Sequence, residues 1–156
     1  MALDIGLVAP GFDSQNDLGE PVNLEQFKGN WIVLYFYPKD NTSGCTKEAC
    51  GFRDNYARIT SIGAVVLGVS PDGVKSHEKF KTKFDLNFAL IADPEKKICD
   101  LYNVMGEKSM YGKKYMGVIR STYIIDPEGI IRFVFSNVKV DGHIDDVINK
   151  IIELKK

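Results

Sequence analysis

The amino-acid sequence predicts an α/β fold, a central mixed β-sheet flanked by helices. Three observations carry that expectation. Trp31 to Tyr37 (WIVLYFY) and Ala64 to Val69 (AVVLGV) are unbroken apolar runs rich in β-formers, the pattern of strands buried on both faces. Apolar residues also return at helical spacing, at Cys45, Ala49, Phe52, Tyr56 and Ile59, then at Val74, His77, Phe80 and Phe84. Finally, Ser121 to Ile125 and Ile130 to Phe135 flank Asp126-Pro127-Glu128-Gly129, a hairpin signal.

The remaining elements fall between these. Phe12 to Gln15 and Pro21 to Asn23 flank a turn at Asp17-Leu18-Gly19 and suggest an N-terminal β-hairpin. Asn23 can cap a short helix over Leu24 to Phe27, ended by Gly29. Pro38 stops the first long strand. Ser70-Pro71-Asp72 is a helix-start signal ahead of Val74. Phe88 to Ile91 reads as a short strand and Pro94 to Tyr102 as a short helix. Ile144, Val147, Ile148, Ile151 and Ile152 give the last helix one apolar face. Early βαβ units demand parallel strands, and the final hairpin demands antiparallel ones. That is the outline of a thioredoxin-like fold, expected as a single domain over residues 1–156.

Composition narrows the functional class. Of 156 residues, 44% are hydrophobic and 26% charged, as in a water-soluble domain able to bury a core without a metal or disulfide staple. A net charge of -1 offers no basic footprint for nucleic acid or for an anionic membrane. No apolar run approaches the roughly 20 residues that span a bilayer, and Met1 to Pro10 lacks the features of a signal peptide. The expected location is cytoplasmic, where thiols stay reduced unless they are redox-active. The three cysteines are then candidate reactive groups rather than a disulfide framework.

The segment Pro38 to Cys50, PKDNTSGCTKEAC, joins the carboxyl end of a buried strand to an amphipathic helix. That is where open α/β sheets bind ligands. Cys45 falls at the first helical turn, whose free amides and dipole favour a thiolate. Thr42 can point its hydroxyl at the sulfur, Pro38 shields the pocket, and Gly44 lets the backbone approach closely. A cysteine opening a helical stripe is as often a small buried hydrophobe. Cys50, five residues on, could be a half-buried thiol with no role. In an intact helix the two Cα atoms would stand about 8.7 Å apart, beyond the roughly 7 Å that a disulfide tolerates. The spacing therefore describes a thiol pair that bonds only when the helix start unwinds.

Pro38, Thr42 and Cys45 match the pattern Pro-x-x-x-Thr-x-x-Cys, and the segment resembles the active site of peroxiredoxins. GCTKEACGFRD (Gly44 to Asp54), MYGKKYMG and Gly117 to Thr122 extend the likeness to the bacterioferritin comigratory protein subfamily, along nearly the whole chain. The resemblance implies a thiol-dependent peroxidase. By it, Cys45 is the peroxidatic cysteine and is oxidised to a sulfenic acid. Cys50 is the resolving cysteine and closes a Cys45–Cys50 disulfide. Thr42 hydrogen-bonds sulfur and peroxide, Pro38 shields them, and Arg120 completes the site. A guanidinium there can hold the thiolate and polarise the O–O bond. The implied partners are a hydroperoxide, whether hydrogen peroxide or an organic one, and thioredoxin or a similar dithiol. The implied state is a monomer. No cofactor or metal is expected, since the cysteines and the distant His77 and His143 lack zinc-ligand spacing.

Glu48 also matches a family position, although an acid favouring the helix dipole explains it equally well. Arg120 could be a surface ion-pair residue pinned beside its strand. Ser43 stands where close relatives carry proline, which leaves the loop less rigid. Cys99 reads as core packing, and Met110 to Met116 either lines the pocket mouth or covers the core. Two rival functions fit the fold less well. A general thiol-disulfide oxidoreductase of the thioredoxin type calls for C-x-x-C, against C-x4-C here. A non-catalytic binding protein with a thioredoxin fold would not need Pro38, Thr42, Cys45 and Arg120 together.

Overall fold

The alternation of residues along one strand organises the molecule. In a computed structural model that describes residues 2–156, strand β3 (Trp31–Phe36) is buried throughout. Met1, the first residue of the expected domain, lies outside the described residues. Trp31, Val33, Tyr35 and Tyr37 face one apolar cluster with Cys45, Ala49, Phe52, Ile59, Phe80 and Ile148. Ile32, Leu34 and Phe36 face another with Phe12, Leu24, Cys99 and Tyr102. Successive side chains point to opposite faces of a strand, so a fully apolar run at this position builds both cores.

The sheet has five strands, with β3 in the middle. Strands β4 (Ala64–Ser70) and β5 (Ala89–Ala92) extend it in parallel. Strands β8 (Ser121–Ile125) and β9 (Ile131–Phe135) extend it antiparallel on the other side. The sheet is therefore mixed, as expected, and the fold is thioredoxin-like. The N-terminal hairpin pairs β1 (Asp13–Gln15) with β2 (Pro21–Asn23). The Leu24–Phe27 turn is a 3-10 helix closed by a capping box of Asn23 and Gln26. Helices α1 (Ser43–Asp54), α2 (Tyr56–Ser61), α3 (Val74–Phe84), α4 (Lys97–Leu101) and α5 (His143–Leu154) complete it.

Several elements depart from expectation. The stripe from Cys45 to Ile59 is two helices, broken at Asn55, whose side-chain amide donates to the Gly51 carbonyl at 2.8 Å. That side chain competes with the backbone ladder. Asp72 does not cap α3, which starts from Gly73. Its carboxylate instead accepts from the Asp40 amide at 2.8 Å and the Ser70 hydroxyl at 2.7 Å. Ile152 is 41% exposed, off the buried face of α5. Strands β6 (Met105–Met110) and β7 (Lys113–Val118) form a hairpin of their own. Met110, Tyr111, Tyr115 and Met116 are exposed on it and cover no core.

Candidate active site

Two chain segments 75 residues apart meet at one end of the sheet. Residues 37 to 42 leave the carboxyl end of β3 and enter α1. Because β8 runs antiparallel to β3, with Ser121 opposite Phe36, the residue before β8 arrives at the same end. That residue is Arg120. Its Nη2 donates to Sγ of Cys45 at 3.2 Å, and its Nη1 to Oε1 of Glu48 at 2.6 Å. Gly44 leaves room for the guanidinium, since a Cβ there would lie 3.2 Å from Nη2.

Cys45 lies in the first turn of α1, where backbone amides are free of the helical ladder. Thr42 is the N-cap residue, but its side chain makes no cap bond. Its hydroxyl donates to the Lys39 carbonyl at 3.0 Å, and its oxygen keeps lone pairs to accept with. The helical ladder opens with Thr46 N–H to Thr42 carbonyl at 2.8 Å, so the amides of Ser43, Gly44 and Cys45 lie outside it. Cys45 is buried in the helix's third position. Pro38 is half-buried just past β3.

A buried polar cluster braces the loop from behind. Asp40 accepts from the Tyr37 hydroxyl at 2.6 Å and the Ser76 hydroxyl at 2.8 Å, and its Oδ2 lies 2.7 Å from Nδ1 of His77. Nε2 of His77 faces the Ile91 carbonyl oxygen at 3.0 Å, an acceptor only, so that nitrogen carries a hydrogen. Asp40, Asp72 and His77 place ligand-type atoms within 4.8 Å of one another. These atoms are engaged by neighbouring donors and acceptors, which makes the cluster a brace. Asp40→Ala strands the buried Tyr37 and His77 and the half-buried Ser76, and is expected to cost about 3 kcal/mol or more. Urea unfolding measures it, and a loss under about 1 kcal/mol would remove the cluster from the account.

The hairpin β6–β7 sets the approach of Arg120. Val138 N–H donates to the Arg120 carbonyl at 2.9 Å, and Ile119 N–H to the Val104 carbonyl at 2.8 Å. A Cβ at Gly106 would fall 2.6 Å from Cγ1 of Ile119. Gly106→Ala must therefore push the neighbour of Arg120 aside. It is expected to slow oxidation of Cys45 by up to about 100-fold with the circular dichroism spectrum intact. An unchanged rate would show that the hairpin does not place the guanidinium.

The other cysteines differ sharply. Cys50 is half-buried and free on the same helix. It lines a surface groove of about 410 Å³ between α1 and residues 140–145, with Lys47, Gly51, Asp141 and Ile144. Cys99 is fully buried, as core packing requires. Burial first, then the Asp93 carboxylate, pushes its thiol well above the ordinary range, which keeps it inert. Glu48, also fully buried, faces Arg120 rather than solvent. Burial pushes its carboxyl up to about 7, against the opposing pull of Arg120. Sequence reasoning passed over Tyr35, whose buried hydroxyl has no hydrogen-bond partner among the described residues. Burial, then the charges of Glu48 and Cys45, raise it well above its ordinary value. Its place on the odd-numbered face of β3, the face that α1 covers, was the available signal.

The chain is similar to known proteins along nearly its whole length. Residues 5–134 match the AhpC/TSA family. The putative peroxiredoxin bcp of Coxiella burnetii is 48% identical over 97% of this chain and 100% of its own. Peroxiredoxin Bcp of Bacillus subtilis is 43% identical over 100% and 99%. Among solved structures, the bacterioferritin comigratory protein of Xanthomonas campestris, described with an alkyl peroxide reduction activity, superposes with a TM-score of 0.91. It is 36% identical and covers both chains fully. PrxQ of Xylella fastidiosa superposes at 0.93, with 34% identity over 100% and 99%. Among the described residues, no helix is long and apolar enough to cross a membrane. The chain belongs to the AhpC/TSA family, in its bacterioferritin comigratory protein branch, and is a thiol-dependent peroxidase.

Proposed function

We propose that this chain reduces hydrogen peroxide and organic hydroperoxides through a Cys45 sulfenic acid and a Cys45–Cys50 disulfide, and that thioredoxin or a similar dithiol recycles it. The observation that carries the reading is the Arg120 guanidinium 3.2 Å from a buried sulfur at a helix N-terminus. The Cys45 thiolate attacks one peroxide oxygen, the S–O bond forms, the O–O bond breaks, and the departing oxygen leaves as water or an alcohol. Negative charge builds on that oxygen, where Arg120 and the first-turn amides act as donors, while the Thr42 oxygen, its hydrogen given to the Lys39 carbonyl, accepts from the hydroperoxide O–H. Pro38 closes the site from the side. The alkyl peroxide activity described for the Xanthomonas campestris relative supports organic substrates.

Resolution requires movement. Cys45 and Cys50 share one continuous helix, Ser43–Asp54, and helical geometry holds their Cα atoms about 8.7 Å apart. The first turns are held by the burial of Cys45 and Ala49 and by polar contacts, Arg120 to Cys45 and Glu48 and Lys47 to Asp141. Oxidation to a sulfenic acid removes the thiolate charge and weakens one of them. Unwinding then lets Cys50 attack the sulfenic sulfur, forming the disulfide and releasing water. Two exchange steps with an external dithiol restore both thiols. The chain works as a monomeric single domain, in a cytoplasm that supplies the dithiol.

Arg120→Ala tests the site directly. It is expected to slow the peroxide reaction by about 10²–10³-fold, the usual cost of one preorganised donor, and to move its pH–rate profile upward. Stopped-flow oxidation of the reduced protein reads both. An unchanged rate and profile would take Arg120 out of the mechanism.

A further inference from the structure

Arg120 carries one positive charge and faces two acidic groups. Nη2 meets the Cys45 sulfur at 3.2 Å and Nη1 meets the Glu48 carboxylate at 2.6 Å. Both acids are withdrawn from water, Cys45 at 1% exposure and Glu48 at 0%. Two anions against one cation would leave an uncompensated charge in the interior, which costs several kcal/mol. The second carboxyl oxygen of Glu48, Oε2, is buried and has no hydrogen-bond partner among the described residues. An unsatisfied buried oxygen costs less on a neutral carboxyl than on a carboxylate anion, so this environment favours the carboxylic acid.

The groups packed around the pair do not supply a second compensating charge. Tyr35, on β3, stays a neutral phenol, its ionisation raised by burial and then by Glu48 and Cys45. His143, on α5, is pushed down to about 4, mainly by burial and also by Arg120, with Asp146 opposing, and is neutral at neutral pH. Lys108, on β6, faces Arg120 and Cys45, but burial and then Arg120 lower its ammonium. It is half-exposed, where water screens it. Asp40, on the loop, is taken up by Tyr37, Ser76 and His77.

We propose that Cys45 and Glu48 hold a single negative charge between them across Arg120, so that Glu48 takes up the proton the thiol gives up. The transfer is balanced: thiol plus carboxylate becomes thiolate plus carboxylic acid. Oxidation discharges the pair. The thiolate forms its S–O bond, the O–O bond breaks, the hydroperoxide's own hydrogen passes to the departing oxygen, and the sulfenate left on Cys45 takes the proton held on Glu48, whose carboxylate becomes the anionic partner of Arg120. Glu48 is thus a positioning residue for both charge and proton. Its catalytic meaning rests on the peroxidase reading, but the shared charge exists in the reduced protein without peroxide.

The test is a carbon-13 NMR titration of the reduced protein, labelled at the Glu48 carboxyl and the Cys45 β-carbon. A coupled pair shows the same two apparent inflections at both labels. In Cys45→Ser, which lacks the competing anion, the Glu48 inflection is expected to fall by about one pH unit or more. In Glu48→Gln, which keeps the shape without the acid, alkylation of Cys45 by iodoacetamide is expected to shift to lower pH. A Glu48 titration unchanged in Cys45→Ser would overturn the inference even if Glu48→Gln fails to fold. No arm uses peroxide, so loss of peroxidase activity and loss of charge sharing are read separately.

Discussion

Replacing Cys45 by serine is expected to reduce peroxide turnover to the uncatalysed background, a loss of about a million-fold even at the low end of enzyme accelerations. Serine preserves the volume and can still accept from Arg120, so the site should keep its shape. What it lacks is a soft anion at neutral pH. A serine hydroxyl stays protonated there and is a poor nucleophile toward an O–O bond, whereas thiolate sulfur is a strong one. Peroxide consumption under excess dithiol reads the result. Residual turnover above a tenth of the parent rate would move the nucleophile elsewhere. Cys99 is a poor candidate, being fully buried with its ionisation opposed by burial and by Asp93.

Cys50→Ser is expected to give one rapid equivalent of peroxide reduction and then to stall with thioredoxin. The first step uses only Cys45, Arg120 and the helix start, all of which the variant retains. The second needs a thiol that reaches the sulfenic sulfur once α1 unwinds, and Cys50 is the half-buried one on that helix. Steady turnover at the parent rate would show that the external dithiol attacks the sulfenic acid itself. The groove beside Cys50 would then have no part in resolution.

Much of this was legible in the sequence, for identifiable reasons. WIVLYFY encodes a two-faced strand because no polar residue interrupts it, and the structure buries all six residues of β3. Cys45 at a strand-to-helix junction needs only local rules. Arg120 is different. Its meeting with Cys45 depends on Phe36 pairing with Ser121, a register that no local pattern states, and it entered through family resemblance. The β6–β7 hairpin was missed because its strands are largely exposed and lack apolar alternation. Tyr111 and Gly112, both at positive φ (51° and 79°), form its tight turn, and a glycine after the central residue was the available hint. His77 read as one more apolar position. Only the fold reveals that it packs against Asp40, 37 residues earlier, and braces the loop that leads to the active cysteine.

Intact mass measured without reductant, after one equivalent of hydrogen peroxide is added to the reduced protein, addresses the mechanism most directly when joined to peptide mapping. The expected result is rapid loss of two hydrogens, mapping to a bond between Cys45 and Cys50. A stable gain of one oxygen on Cys45 would contradict resolution by Cys50, and no rapid change would contradict Cys45 as the peroxide-reducing thiol.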